Sequence, residues 1–178
     1  MGQYFKIVNV TKKKFIDIDS LGENCKFGYV GQGLNGIALG RLLISGGDGW
    51  ANEFYKVYGH PEKDEIYFGA WAGDQIVITG DYDNADTNGI KSSIPEIPDQ
   101  NLYHKIEYHD EYEDITIKVI EWLANNEFTA ELLADRAKRD EELLGTLSNL
   151  VYVKKHKLIE KSLIKVIGKD WTKKLKKK

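Results

Sequence analysis

The stretch Glu65–Asp83, EIYFGAWAGDQIVITGDYD, constrains this chain most, because it reads as a β-hairpin and so commits the fold to a sheet. Ile66, Tyr67 and Phe68 suit a first arm, since aromatic and branched side chains pack well on a pleated surface. In the second arm, Gln75–Thr79, Ile76 and Ile78 fall on one face and Gln75, Val77 and Thr79 on the other. Ala72-Gly73-Asp74 lies between them, with a glycine free to take the positive φ of a tight turn. Gly80-Asp81-Tyr82-Asp83 then ends the strand in a polar loop.

The rest of the chain supplies more strands, then helices. Gln3–Val10 alternates as a strand, Thr11–Lys14 is a polar turn, and Phe15–Asp19 is a second strand that pairs with the first. Lys26–Val30 suggests a short third strand. Gly31–Gly36 leads into Ile37–Ile44, apolar almost all round, which reads as a short buried helix. Trp50–His60 is ambiguous, although Phe54, Val57 and Tyr58 have helical spacing. Asp81–Gln100, with Pro95 and Pro98, reads as a long surface loop of the functional or disordered kind. Asn101–Tyr108 fits a helix or a strand. Asp114 suits the N-cap of a helix over Ile115–Asn125; Thr129 suits the cap of another over Ala130–Leu144, ended by Gly145. The expected class is α+β: an antiparallel or mixed sheet built from hairpins, with helices packed on one face. Residues 1–153 form one domain, and 154–178 a basic amphipathic helix docked on it through Ile159, Leu163, Val166 and Ile167.

Charge divides the chain in the same place. The tail, 154–178, holds eleven lysines against Glu160 and Asp170, and the body holds 14 basic and 26 acidic residues. A −12 body thus carries a +9 tail, although the net charge is only −3. The tail could grip nucleic acid through Lys154–Lys178, meet an anionic membrane, or fold onto its own acidic body. No apolar run reaches membrane-spanning length. MGQYFKIVNV lacks the layout of a secretory leader, and Lys6 stands where a myristoylation site has Ser or Thr. Cys25 is the only cysteine, so a reducing, cytoplasmic setting is expected. Oligomeric state is left open.

Three of these segments also carry a resemblance. MGQYFKIVNV, the glycine loop entering an apolar helix, and WAGDQIVITGDYD together resemble a family of small uncharacterised proteins that begin Met-Gly-Gln-Tyr-Tyr. Its members go on to Trp-Ala-Gly-Asp and Gly-Asp-Tyr, matched by Trp71, Ala72, Gly73, Asp74, Gly80, Asp81 and Tyr82. The chain departs from the pattern at Phe5 and in its basic tail. The resemblance implies a shared core over roughly the first two-thirds of the chain and brings no mechanism with it.

Two groups of residues could carry chemistry. Gly31, Gly33 and Gly36 fit G-x-G-x-x-G before a helix, where backbone N–H groups and the positive helix end can meet a phosphate, with Asn35 in the same loop. For the acidic residue of a dinucleotide site Glu53 is the only nearby candidate, with no strand before it, and close helix packing is the plainer alternative. Trp71 and Tyr82 could stack a flat ligand beside Gly73 and Asp74, as could Trp50 and Tyr103, although aromatic residues more often fill a core. Asp81, Asp83 and Asp86, with Asp74, could hold a divalent cation such as Mg²⁺ or Ca²⁺; Asp beside Gly also does plain turn chemistry. The four histidines lack ligand spacing, and no nucleophile elbow or lysine-containing P-loop occurs.

The leading expectation is a non-enzymatic intracellular module that binds a small phosphate-bearing ligand, as a nucleotide sensor or as a sponge in virus–host conflict. It requires the turns at 31–36 and 72–74 to meet around one cavity. A metal-dependent phosphoesterase or nuclease built on the Asp cluster is one alternative. A protein- or nucleic-acid-binding component acting through the basic tail is the other.

Overall fold

The computed structural model describes residues 4–21, 31–44, 66–83, 102–108 and 110–176. Strand β1 (Phe5–Asn9) pairs antiparallel with β2 (Lys14–Asp17), in register Ile7 to Ile16 and Val8 to Phe15. The turn between them closes through the Lys12 N–H, which donates to Asn9 Oδ1 at 2.8 Å. β3 (Ile76–Gly80) lies antiparallel on the other side of β1, and β4 (Glu113–Asp114) joins β2 in parallel. The order β3-β1-β2-β4 makes a mixed sheet, and with the helices the class is α+β.

The Glu65–Asp83 hairpin is corrected. β3 is a strand, but its partner is β1, and residues 68–74 run through turns and a bend instead of an arm. The reason lies in helix α1 (Gly33–Leu43), whose last carbonyls have no partner within the helix. The Gly69 N–H donates to the Arg41 carbonyl at 2.8 Å and the Trp71 N–H to that of Leu42 at 2.9 Å. A segment whose amides close a helix end cannot also offer them to a ladder.

Four helices follow β4: α3 (Thr116–Ala124), α4 (Glu127–Ala137), α5 (Glu141–Tyr152) and α6 (Lys157–Val166). Asp114 supports the start of α3 from just outside it, accepting from the Thr116 N–H at 2.8 Å. The single helix expected over Ala130–Leu144 is two helices. Asn126 caps the first, accepting from the Phe128 and Thr129 N–H groups, and Asp140 caps the second, accepting from the Leu143 N–H at 2.9 Å. Each cap side chain satisfies an orphan N–H of its helix, which is why the chain restarts at Asp140. Thr129 is instead buried, its hydroxyl donating to the Leu123 carbonyl, and Gly145 lies inside α5.

Alternation in β1 divides the core. Phe5 and Ile7, with Ile16 and Ile18, join a large apolar cluster that takes in Leu34, Ala38 and Leu42 of α1 and side chains from all of α3–α6. Val8 and Phe15 face the other way, onto the short helix α2 (Leu102–Tyr108), where they pack with Leu102 and Ile106. α2 thus covers the face that the other helices leave. The segment expected to be either helix or strand is therefore helical. α6 runs along α4, with Ile159 and Leu163 fully buried and Lys161 3.0 Å from Glu127. Among the described residues no helix is long and apolar enough to cross a membrane. The strand expected at Lys26–Val30, the segment Trp50–His60 and the loop beyond Asp83 lie outside the described residues.

Candidate functional site

The N-terminus of α1 is built from the glycine loop. Gln32 stands at the N-cap in extended conformation, and its side chain makes no cap bond. A Cβ at Gly36 would lie 2.3 Å from the Gly31 carbonyl oxygen, so only glycine lets the loop close this tightly over the first turn. The Gly36 N–H donates to the Gln32 carbonyl at 2.9 Å. Gly31 and Gly33 are exposed.

Asn35 differs from the rest of the loop. The inward face of α1 carries Leu34, Ala38 and Leu42 at helical spacing, and Asn35 is buried beside them at 0 % exposure. Among the described residues neither its Oδ1 nor its Nδ2 has a hydrogen-bond partner. Leaving a buried amide unpaired is unfavourable by about 1–3 kcal/mol, so such a group calls for an explanation. It sits in the first turn, next to backbone N–H groups and the positive end of the helix.

The other expected site residues do not gather here. Trp71 is 2 % exposed inside the large core cluster, so its role as a stacking surface is corrected: the indole has no free face. Trp71 and Gly69 bond to the last turn of α1, whereas Gly31–Gly36 opens its first turn. At 1.5 Å per residue the two helix ends are about 14 Å apart, so the expected shared cavity gives way to two separate turns. Gly73 is exposed at φ +83°, as its turn into β3 requires. Tyr82 is 61 % exposed, just past the far end of β3.

β3 likewise divides the carboxylates. Asp74 precedes it, accepting from Asn9 Nδ2 at 2.7 Å and lying 3.2 Å from Lys12 Nζ. Asp81 and Asp83 follow it: Asp81 Oδ1 accepts from the Tyr4 N–H at 3.0 Å, and Asp83 Oδ2 from the Gly80 N–H at 2.7 Å. Seven residues of near-extended chain put Asp74 roughly 20 Å from Asp81, too far to share an ion. Asp86 lies outside the described residues. Among the described residues no group of three or more His, Cys, Asp or Glu side chains could hold a metal ion.

Sequence reasoning missed a polar cluster between β1 and α2. Lys6 is 5 % exposed; its Nζ lies 3.1 Å from Glu107 Oε1 and 4.1 Å from the Tyr103 ring centroid. Asp17 pairs with Lys6 across the strands. Burial pushes the Asp17 carboxyl above its ordinary pKa despite the opposing attraction of Lys6. The Tyr103 hydroxyl is also raised, by burial first and then by Glu107. Lys6 is engaged with a carboxylate and a ring face, which ties α2 to the sheet. The signal was present in the sequence: Lys6 shares the alternation phase of Val8, and a short turn sets it opposite Asp17.

In the tail, Lys154 pairs with Glu121, Lys161 with Glu127 and Lys165 with Glu131. These three lysines are turned to the acidic side of α3 and α4. A scan against protein-family models finds no match to this chain, and searches of curated proteins and of solved structures find none either.

Proposed function

We propose that this chain is a non-enzymatic module that binds a small phosphate-bearing ligand, a nucleotide in the first instance, at the N-terminus of α1. The observation that carries the reading is the Asn35 amide, fully buried without a partner among the described residues, in the first turn of a helix entered through a glycine loop. A phosphate oxygen at the exposed loop would accept from first-turn backbone N–H groups, aided by the helix dipole, and would reach the enclosed Nδ2 of Asn35 only with the loop opened. The tight Gly31–Gly36 approach supports the reading, since it leaves no room for a side chain at position 36. Trp71 no longer contributes to it. The setting proposed is the cytoplasm, and the role is that of a nucleotide sensor, or of a sponge that sequesters a nucleotide signal in virus–host conflict.

Isothermal titration against a panel of nucleoside mono-, di- and triphosphates and inorganic phosphate tests this. Saturable heat is expected with at least one member, and its loss in Asn35→Leu, a substitution that keeps the branching of the side chain and removes its polar atoms. Absence of heat with every member overturns the reading. Salt separates it from a nucleic-acid contact through Lys154–Lys178. The body's negative charge repels an anion and salt screens that repulsion, so affinity at α1 holds or rises between about 50 and 200 mM salt. A phosphate-gripping tail loses affinity steeply over the same range.

A further inference from the structure

Arg41, in the last turn of α1, is held in a setting that no packing role uses up. Its guanidinium carbon lies 5.5 Å from the Phe68 ring centroid and 5.7 Å from that of Trp122. The two rings meet edge to face at 5.2 Å. The three groups thus form a nearly equilateral triangle, assembled from α1, the 68–74 turn segment and α3. The Gly69 N–H bonded to Arg41's own carbonyl holds Phe68 in place.

The guanidinium is partly desolvated, and that burial lowers its pKa. Among the described residues no carboxylate lies within ion-pair distance of Arg41, although Lys138, Lys154, Lys161 and Lys165 each have one. The side chain is half-buried, and none of its nitrogens is both fully buried and unpartnered among the described residues. A cation at a helix C-terminus is favoured by the dipole, and a lysine would satisfy that too. What a lysine lacks is a flat, delocalised fork that can lie against a ring and still offer paired donors along its edge.

We infer that Arg41 is an oxyanion-binding group, a guanidinium fork pre-set by Phe68 and Trp122 to take two oxygens of a carboxylate or phosphate. An ordinary surface arginine must be desolvated and immobilised when it captures an anion; here the half-buried guanidinium already lies against two rings, so part of that has happened in the folded chain. The site is separate from the one at Asn35, six residues back along α1 and about 9 Å away, and it does not rest on that reading.

The test is an NMR titration of ¹⁵N-labelled full chain, following the arginine Nε–H signals of Arg41, Arg136 and Arg139, the three arginines of the sequence. One arm adds inorganic phosphate and the other acetate, each at constant ionic strength held with chloride. The Arg41 signal, assigned through its own backbone, should move saturably with a dissociation constant on the order of 1–10 mM. The Trp122 indole N–H should follow it, while Arg136 and Arg139 drift without saturating. Arg41→Lys should weaken binding about tenfold, since it keeps the charge and loses the fork. Saturation by phosphate alone identifies a phosphate-bearing ligand, and by acetate alone a carboxylate. If Arg41 behaves like the other two arginines in both arms, an adventitious ion only is present and the inference is overturned. The Asn35 side-chain amide is a separate signal, so failure here leaves the reading at the start of α1 untouched.

Discussion

The two faces of the sheet are covered in opposite ways, and β1 belongs to both. On one side Phe5 and Ile7 enter a continuous apolar cluster shared with α1 and α3–α6. On the other, among the described residues, Val8 clusters with buried Phe15, Leu102 and Ile106, with Lys6 and Thr79 buried on the same face. All five residues of β1 are nonetheless buried, Asn9 included. Burial in this strand therefore does not require apolar side chains. It requires that each polar one have a partner, such as Glu107 for Lys6 and Asp74 for Asn9. The first face supplies most of the stability, and the second fixes where α2 sits.

Truncating one apolar side chain on each face should separate them most clearly. Leu163 is fully buried where α6 meets α4, and it ties the C-terminal segment into the large cluster. Leu163→Ala should lower the unfolding free energy by about 3–4 kcal/mol. Leu102→Ala, in the small cluster under a single short helix that can relax, should cost nearer 2 kcal/mol. Urea denaturation reads both. Equal losses would mean that the second face is as tightly packed as the first.

The next effect is an asymmetry within the second face. Lys6 is enclosed, its side chain 6 % exposed, whereas that of Glu107 is 35 % exposed and can be rehydrated. Glu107→Gln therefore leaves an enclosed ammonium without its counter-charge and should destabilise by about 1–3 kcal/mol. Lys6→Met removes the enclosed charge itself, keeps the stem against Tyr103 and Phe15, and should change stability by less than about 1 kcal/mol. Thermal unfolding of the two variants gives the order. If Lys6→Met proves the more damaging, the ammonium is contributing attraction to Asp17 and the Tyr103 ring beyond its pair with Glu107.

Local pattern made one part of this architecture legible and left the other hidden. Alternation in Gln3–Val10 and the polar Thr11–Lys14 turn were enough for the β1–β2 pair, because a hairpin needs only neighbouring residues. The same reasoning failed at Glu65–Asp83, where Gly69 and Trp71, just after the strand-forming residues 66–68, close α1 and the free strand finds β1, a choice made far away in sequence. The break between α4 and α5 was hidden differently: apolar spacing runs across it, and the signal that ends one helix and starts the next, Asp140 followed by Glu141 and Glu142, lies in capping chemistry. In the candidate site, Gly31–Gly36 and Asn35 could be named from the loop pattern. The unpartnered state of the Asn35 amide could not, since it depends on what packs over α1. Arg41 was unreadable for the same reason, because its two rings come from positions 68 and 122.

The smallest effect sharpens the comparison most, because it concerns a single proton on the second face. Burial holds the Asp17 carboxyl above its ordinary pKa, so the folded chain binds that proton more tightly than the unfolded chain, whose aspartate titrates near ~3.9. The stability that goes with the proton is complete below that value and is lost as pH rises through the raised folded pKa. Asp17→Asn abolishes the ionisation and keeps an oxygen for the Asp19 N–H, which donates to Asp17 Oδ1 at 3.0 Å. The variant should therefore be slightly more stable than the parent at pH 7 and indistinguishable from it near pH 3, in urea midpoints measured at each pH. A variant less stable at pH 7 would mean that attraction to Lys6 outweighs the burial of the carboxylate. The second face would then be held together by its charges, and Lys6 and Asp17 would be its principal fastening to α2 and β2.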